Sequence, residues 1–265
     1  MIELLAPQGS DEWLAARAGV CTASMFETAL SRTGGLTEQQ ASYVSLVRSG
    51  MSEAAAADIA GYKSAPRAQS VKDAIAGLPV GDWSSEARDY AFRLSIERRS
   101  GTPIDEGVET YWTRRGHELE PEAIEAYEDR TGNLVRRVGL ILTDDRRFGA
   151  SADGLVGRDG GVEVKCWVDP SKLRRVLLDR DERAVRRQCL GGMWVTGRKW
   201  WDFVLYCPAM KPVGLDLTII RINRDDDEIE AMELDLLRFD RLVDEYGQRM
   251  EQLAADQALT STTPD

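Results

Sequence analysis

Three charged side chains stand close together in GASADGLVGRDGGVEVKCW, residues 149–167: Asp153, Glu163 and Lys165. The stretch has the pattern of a β-hairpin. One arm ends at Asp153-Gly-Leu-Val, the turn is Arg158-Asp159-Gly160-Gly161, and the second arm runs from Val162 to Trp167. Alternate side chains of a strand share a face. Glu163 and Lys165 therefore point one way, while Val162, Val164 and Cys166 point into a core. Asp153, on the partner arm, falls at about the same height across the turn. Hard divalent cations take oxygen ligands, and Mg2+ commonly uses one or two carboxylates together with water and substrate phosphate. Asp153, Glu163 and the main-chain carbonyl of Val164 offer such oxygens. A lysine beside them can orient an attacking water and offset the charge that builds on a phosphorane. Taken alone, the same pattern also fits a solvated strand face carrying a Glu–Lys pair.

Other elements must hold these residues in place. A helix is expected through WTRRGHELEPEAIEAYEDRTG, with Leu119, Ala123, Ala126 and Tyr127 on one face and Gly132 ending it. Pro121 marks a start or a bend, and Glu120 precedes it. Strands are expected over 133–142, 148–156 and 161–167. A basic helical region, 171–195, follows, and then two further strands in WWDFVLYCP and GLDLTIIRINR. An acidic amphipathic helix over 225–255 and a disordered tail over 256–265 close the chain. Near the N-terminus, Ser10 caps one short helix and Thr22 a second, in TASMFETAL. The order predicts an α/β (α+β) fold with a mixed central sheet flanked by helices. One domain is expected over 1–250, with a helical insertion over 33–105 and a core that carries the candidate site over 106–224.

Composition sets outer bounds. The chain has 265 residues, 43% of them hydrophobic and 30% charged, which suits a folded protein with a real core. No apolar run approaches the roughly 18–20 residues that span a bilayer, so no membrane is expected and the default location is cytoplasmic. The cysteines at 21, 166, 189 and 207 are scattered and His117 is the single histidine. That spacing excludes a clustered zinc or iron–sulfur site. Net charge is −11, so contact with nucleic acid has to be local. Lys172, Arg174, Arg175, Arg180, Arg183, Arg186 and Arg187 form a local basic run that suits phosphate tracking, although Asp179, Asp181 and Glu182 lie within it. Tyr111 and Trp112 suit either stacking on an unpaired base or core packing. His117 reads as a helix surface residue.

The stretch SADGL…GGVEVKCW resembles the PD-(D/E)xK nuclease signature, with Ala152-Asp153 in place of Pro-Asp. EWLAARAGVCTAS (12–24), RRGHELEPEAIEAYEDRTG and RRQCLGGMWVTGRKWWDFVLYCPAM resemble, in order, segments of the lambda exonuclease family, the YqaJ-type viral recombinases. The resemblance covers 12–31 and 111–212 and leaves 33–105 unmatched. It implies a restriction-endonuclease-like core and a 5′–3′ exonuclease of double-stranded DNA that releases mononucleotides and leaves 3′ single-strand overhangs. Asp153, Glu163, the Val164 carbonyl and Glu120 match the metal ligands, for Mg2+ with Mn2+ as a substitute, in a two-metal hydrolysis. Lys165 matches the catalytic lysine, and Gln188 a glutamine near the scissile phosphate. Arg17, Ser24 and Ser151 match a 5′-phosphate pocket, which Lys172 joins by position only. Asp144 or Asp145 falls near a further family acid. The resemblance also implies a ring-shaped homotrimer, a single-strand annealing protein as partner, and the cytoplasm of a bacterial host infected by phage. The competing readings are another PD-(D/E)xK nuclease, such as an endonuclease or a helicase-linked domain, and a non-catalytic DNA-binding recombination accessory.

Overall fold

Apolar, β-branched sequence around 160–165 and 200–206 builds a sheet buried on both faces, and everything at the site hangs from it. The computed structural model describes residues 1–6, 9–104 and 111–261. In chain order the first elements are β1 (Ile2–Leu4), α1 (Asp11–Arg17), β2 (Cys21–Thr22), α2 (Phe26–Ala29), β3 (Arg32–Thr33), α3 (Glu38–Arg48) and α4 (Glu53–Ile59). Next come α5 (Gln69–Ile75), β4 (Asp82–Trp83), α6 (Ser85–Ser100), α7 (Tyr111–Thr131), β5 (Val135–Arg136), β6 (Leu140–Leu142) and β7 (Phe148–Ala150). The chain continues with β8 (Gly154–Val156), β9 (Gly160–Lys165), α8 (Pro170–Asp179), α9 (Arg183–Thr196), β10 (Trp200–Tyr206), β11 (Leu217–Asn223) and α10 (Asp226–Ser261).

These elements form two compact units, Thr28–Tyr90 and the remainder. The insertion expected over 33–105 is thus divided, with residues from Ala91 onward belonging to the larger unit. The smaller unit packs α3, α4 and α5 around Tyr43, Val44, Ala56, Ala57 and Val71. Thr37 and Gln40 close a capping box at the start of α3. Its β3–β4 pair carries Arg32 stacked 3.9 Å from the Trp83 ring centroid.

The larger unit holds two sheets, in strand orders β1-β6-β7-β2 and β11-β10-β9-β8-β5. In the second sheet β9 runs parallel to β10, and the other pairings are antiparallel. The expected strands 133–142 and 148–156 are each two short strands, one in either sheet. Residues 137–139 and 151–153 carry the chain across. Gly139 sits so close to the Leu4 and Ala6 carbonyls that a side chain would overlap them, which fixes the first crossing.

Helix α7 covers one face of the five-stranded sheet. Ala123, Ile124 and Tyr127 pack on Val162, Val164, Val204, Tyr206 and Leu217. It ends where expected, at Gly132 with φ +70°, and it continues through Pro121. Lacking an N–H, that proline leaves the carbonyl four residues back, at His117, without its helical donor.

Three expectations change. Thr22 makes no side-chain cap; it lies in β2, and its hydroxyl turns to Ser24 instead. Gly160 and Gly161 start β9 rather than forming the turn. They lie in register with Trp200 and Trp201, and a Cβ on Gly161 would stand 2.5 Å from the Trp201 ring. The tail expected to be disordered continues α10 to Ser261; residues 262–265 lie outside the described ones. Among the described residues no helix is long and apolar enough to cross a membrane.

Candidate active site

The pleat of β9 sends Val162 and Val164 into the core under α7 and turns Glu163 and Lys165 to the other face. Gly154 of β8 pairs with Val162, so Asp153, one residue earlier, stands opposite Glu163. Its carboxylate accepts the Val164 N–H at 2.6 Å, which fastens the acid to the backbone that carries the other two charges. Lys165 Nζ lies 2.6 Å from Glu163 Oε1. Across the same opening α7 presents Glu120, held by Arg137 at 3.3 Å. Helix α9 adds Gln188.

A cavity of about 490 Å³ takes in Asp153, Glu163, Val164, Lys165, Glu120, Gln188, Arg17, Ser24, Ser151 and Lys172. All of the expected site residues therefore meet in one place, although they come from seven separate stretches of chain. Asp144 and Asp145 do not line it. Asp144 is 86% exposed. Asp145 accepts the Thr143 hydroxyl and the Arg147 N–H, which tightens the β6–β7 turn.

The electrostatics are those of crowded acids around one amine. Burial, then the charge of Glu163, drives the Asp153 carboxyl well above the usual carboxylate range. Burial also raises Glu120, against the pull of Arg137. Lys165 is raised although burial opposes it, because Glu163 and Asp153 favour its charged form. In this arrangement it stands as the cation paired with Glu163 and as a hydrogen-bond donor. The Cys166 thiol on the cavity wall is pushed up to about 11 by burial, which leaves it protonated and unsuited to nucleophilic attack.

On the wall formed by the N-terminal segment, Arg17 Nη2 donates to the Thr22 hydroxyl at 3.4 Å, and the Thr22 and Ser24 hydroxyls lie 3.3 Å apart. Arg17 also lies 5.3 Å from the Trp13 ring centroid, and Lys172 Nζ 5.1 Å from that of Trp167. Sequence reasoning passed over Thr22, Trp13 and Trp167 as site residues; His117, expected on the helix surface, is exposed there and faces the same opening. All four line the cavity. The spacing from Glu120 was the available signal for His117, since residues three apart share a helix face.

Among the described residues no three His, Cys, Asp or Glu side chains converge closely enough to encircle an ion. Lys165 and Arg137 hold two of the acids in this arrangement. The donor set is nonetheless one that a hard divalent cation suits. It consists of carboxylate and carbonyl oxygens whose mutual repulsion a cation would relieve, and such ions need only one or two carboxylates beside water and phosphate. The basic run is less open than its composition suggests. Arg174 pairs with Asp179, Arg183 with Asp181, Arg186 with Glu182 and Glu228, and Arg187 with Glu27. These four arginines each have an ion-pair partner within the chain, at exposed or half-exposed positions. The side chains of Tyr111 and Trp112, considered for base stacking, lie outside the described residues.

A mixed sheet with acid, acid and lysine at the junction of two neighbouring strands is the PD-(D/E)xK nuclease architecture. Residues 12–199, more than half of the chain, match the model of the YqaJ-like viral recombinase domain, and the chain belongs to that family. The crystal structure of an alkaline exonuclease from Laribacter hongkongensis is similar with a TM-score of 0.66 at 26% identity, over 94% of this chain and 100% of that one. The same enzyme in complex with dAMP gives 0.67 at 25% identity, over 95% and 100%. A phage-related exonuclease from Haemophilus somnus 129PT shares the fold, with a TM-score of 0.57 at 15% identity, over 88% and 96%. No curated protein sequence matches the chain.

Proposed function

We propose that the chain is a divalent-metal-dependent 5′–3′ exonuclease of double-stranded DNA that releases mononucleotides and leaves a 3′ single strand for annealing recombination. The observation that carries this reading is the single cavity in which the acid–acid–lysine group and the Arg17–Thr22–Ser24 wall meet. A group that reads a phosphorylated end is of use only to an enzyme that works from ends. The Laribacter enzyme binds dAMP, a nucleoside monophosphate of the kind this reaction would release.

Asp153, Glu163, the Val164 carbonyl and Glu120 would hold the cation, Mg2+ or Mn2+. When bound there, it supplies charge neutralisation and Lewis acidity for phosphodiester hydrolysis. Lys165, paired with Glu163, would orient the attacking water or offer a donor to a non-bridging phosphate oxygen, where negative charge builds in the transition state. Gln188 offers an amide donor toward the same phosphate. Arg17, Thr22, Ser24 and Ser151, with Lys172 at the rim, grip the terminal phosphate and set the register at which the next bond meets Lys165. A homotrimer around the DNA would make digestion processive, and a single-strand annealing protein in the cytoplasm of a bacterial host would take up the 3′ strand.

Linear duplex labelled at either end, with Mg2+ or with EDTA, tests the reading. Loss of the 5′ label as mononucleotide, dependent on Mg2+ and absent in Lys165→Ala, is expected. Cutting of closed circular DNA, or digestion from the 3′ end, would overturn it.

A further inference from the structure

Between Arg17 and Thr22 the chain runs through Gly19, and both polar groups of that residue are held by consecutive residues of α6. The Gly19 N–H donates to Glu97 Oε2 at 2.9 Å, and its carbonyl accepts Arg98 Nε at 2.9 Å. Glu97 is 5% exposed. Its other oxygen takes the Ile104 N–H at 3.4 Å. Arg98 is anchored in turn by α10, through Nη2 to Asp240 Oδ1 at 2.6 Å and Nη1 to Asp244 Oδ1 at 3.3 Å. Arg147 binds the same two aspartates, and its carbonyl receives the Cys21 N–H at 3.0 Å. Residues 19 and 21 are therefore fixed from two sides by one charge cluster, buried at Asp240 and open to solvent at Arg147 and Asp244. The approach requires a glycine, since at φ +72° a Cβ on Gly19 would stand 2.5 Å from Arg98 Cγ.

We propose that Glu97 and Arg98 are positioning residues for the Arg17–Thr22–Ser24 wall and, through it, determine the preference for a 5′-phosphorylated end. This rests on the reading of that wall as an end-phosphate pocket. Charge-assisted hydrogen bonds are strong and directional. The connector they hold is only four residues long, so slack at Gly19 passes directly to Arg17 and Thr22. A displacement of order 1 Å can cost about 100-fold in a well-aligned site.

The test compares initial rates on 5′-phosphate and 5′-hydroxyl duplex for wild type, Arg17→Ala, Glu97→Gln and Arg98→Lys, with melting temperatures recorded alongside. In both α6 variants the phosphate-to-hydroxyl ratio should fall by about fivefold or more, through a raised KM on the phosphorylated end. The rate on the hydroxyl end should stay within about twofold. Lost folded protein lowers both rates alike, so a ratio unchanged from wild type overturns the inference whatever the absolute rates. If wild type shows no preference, or Arg17→Ala keeps it, the pocket reading and this inference fall together. If Arg17→Ala loses the preference while both α6 variants keep it, only the inference falls. Should Arg98→Lys not fold, Asp244→Asn at the edge of the cluster carries the test, with a drop of about twofold expected and an unchanged ratio contradicting it.

Discussion

Two carboxylates in adjacent strands, Asp202 of β10 and Glu163 of β9, are buried to almost the same degree, 1% and 4% exposed. Their surroundings differ. Asp202 lies in register with Val162 and Glu163 with Phe203, so the two acids leave the sheet on opposite faces. Behind the sheet, Asp202 accepts the Tyr127 hydroxyl at 2.7 Å and a two-pronged bond from Arg221, with both nitrogens at 2.8 Å. Arg221 also stacks 3.8 Å from the Trp200 ring centroid. That acid is satisfied, and its network ties α7, β10 and β11 together. At the cavity, Glu163 has Lys165 as its close cation but shares the space with Asp153 and Glu120. Buried charge of equal depth therefore serves two ends. Where every partner is supplied by the fold the charge is satisfied, and where acids face one another the function proposed above has a cation complete the set.

Breaking each side should give opposite signatures. The largest effect belongs to the cavity: Lys165→Ala should lower nucleotide release per folded molecule by about 1,000-fold or more. An activity loss under about tenfold would remove the lysine from the chemistry. Behind the sheet, Asp202→Asn should cost about 3 kcal/mol, because Arg221 and Tyr127 lose an anionic partner. Activity per folded molecule should be kept; denaturant unfolding and a rate measurement on the same sample decide it. Gly161→Ala presses a methyl group onto the buried Trp201 ring and should cost about 2 kcal/mol. A neutral result would mean the ring can shift.

The smallest effect is on pH dependence. Burial, then Asp202, pushes the Tyr127 hydroxyl up to about 12 from an ordinary 10.0. The folded state therefore holds that proton more tightly than the unfolded one. Stability is fully present below about pH 10 and is lost as pH rises through 12. Tyr127→Phe should make that alkaline decline shallower, and an unchanged slope would detach Tyr127 from it. Tyr206, also raised to about 12, by burial and Glu122, should leave a residual slope.

What the sequence made legible follows the range of the interactions. The alternation Val162-Glu163-Val164-Lys165 is a local period, and both faces appear as expected. Gly160 and Gly161 read as a turn because glycine pairs usually mark one; the tryptophans that demand them arrive about 40 residues later. Within the basic run the local partners Asp179, Asp181 and Glu182 were visible, whereas Glu27 and Glu228, which pair with Arg187 and Arg186, are remote in sequence. Glu97 and Arg98 carry no motif at all, and their contact with Gly19 spans 78 and 79 positions. Thr22 was in plain view inside the TAS stretch and was assigned to a cap, which is the commonest use of a threonine before a helix.

The central claim is that the crowded acids serve the reaction and not the fold. Asp153→Asn tests it most directly, with nucleotide release from 5′-labelled duplex measured after Mg2+ is added and thermal unfolding measured on the same preparation before it is added. Neutralising an acid whose carboxyl burial and Glu163 already push upward should abolish release while leaving the melting temperature equal or higher. Retained activity, or a fall in melting temperature as large as that of Asp202→Asn, would contradict it.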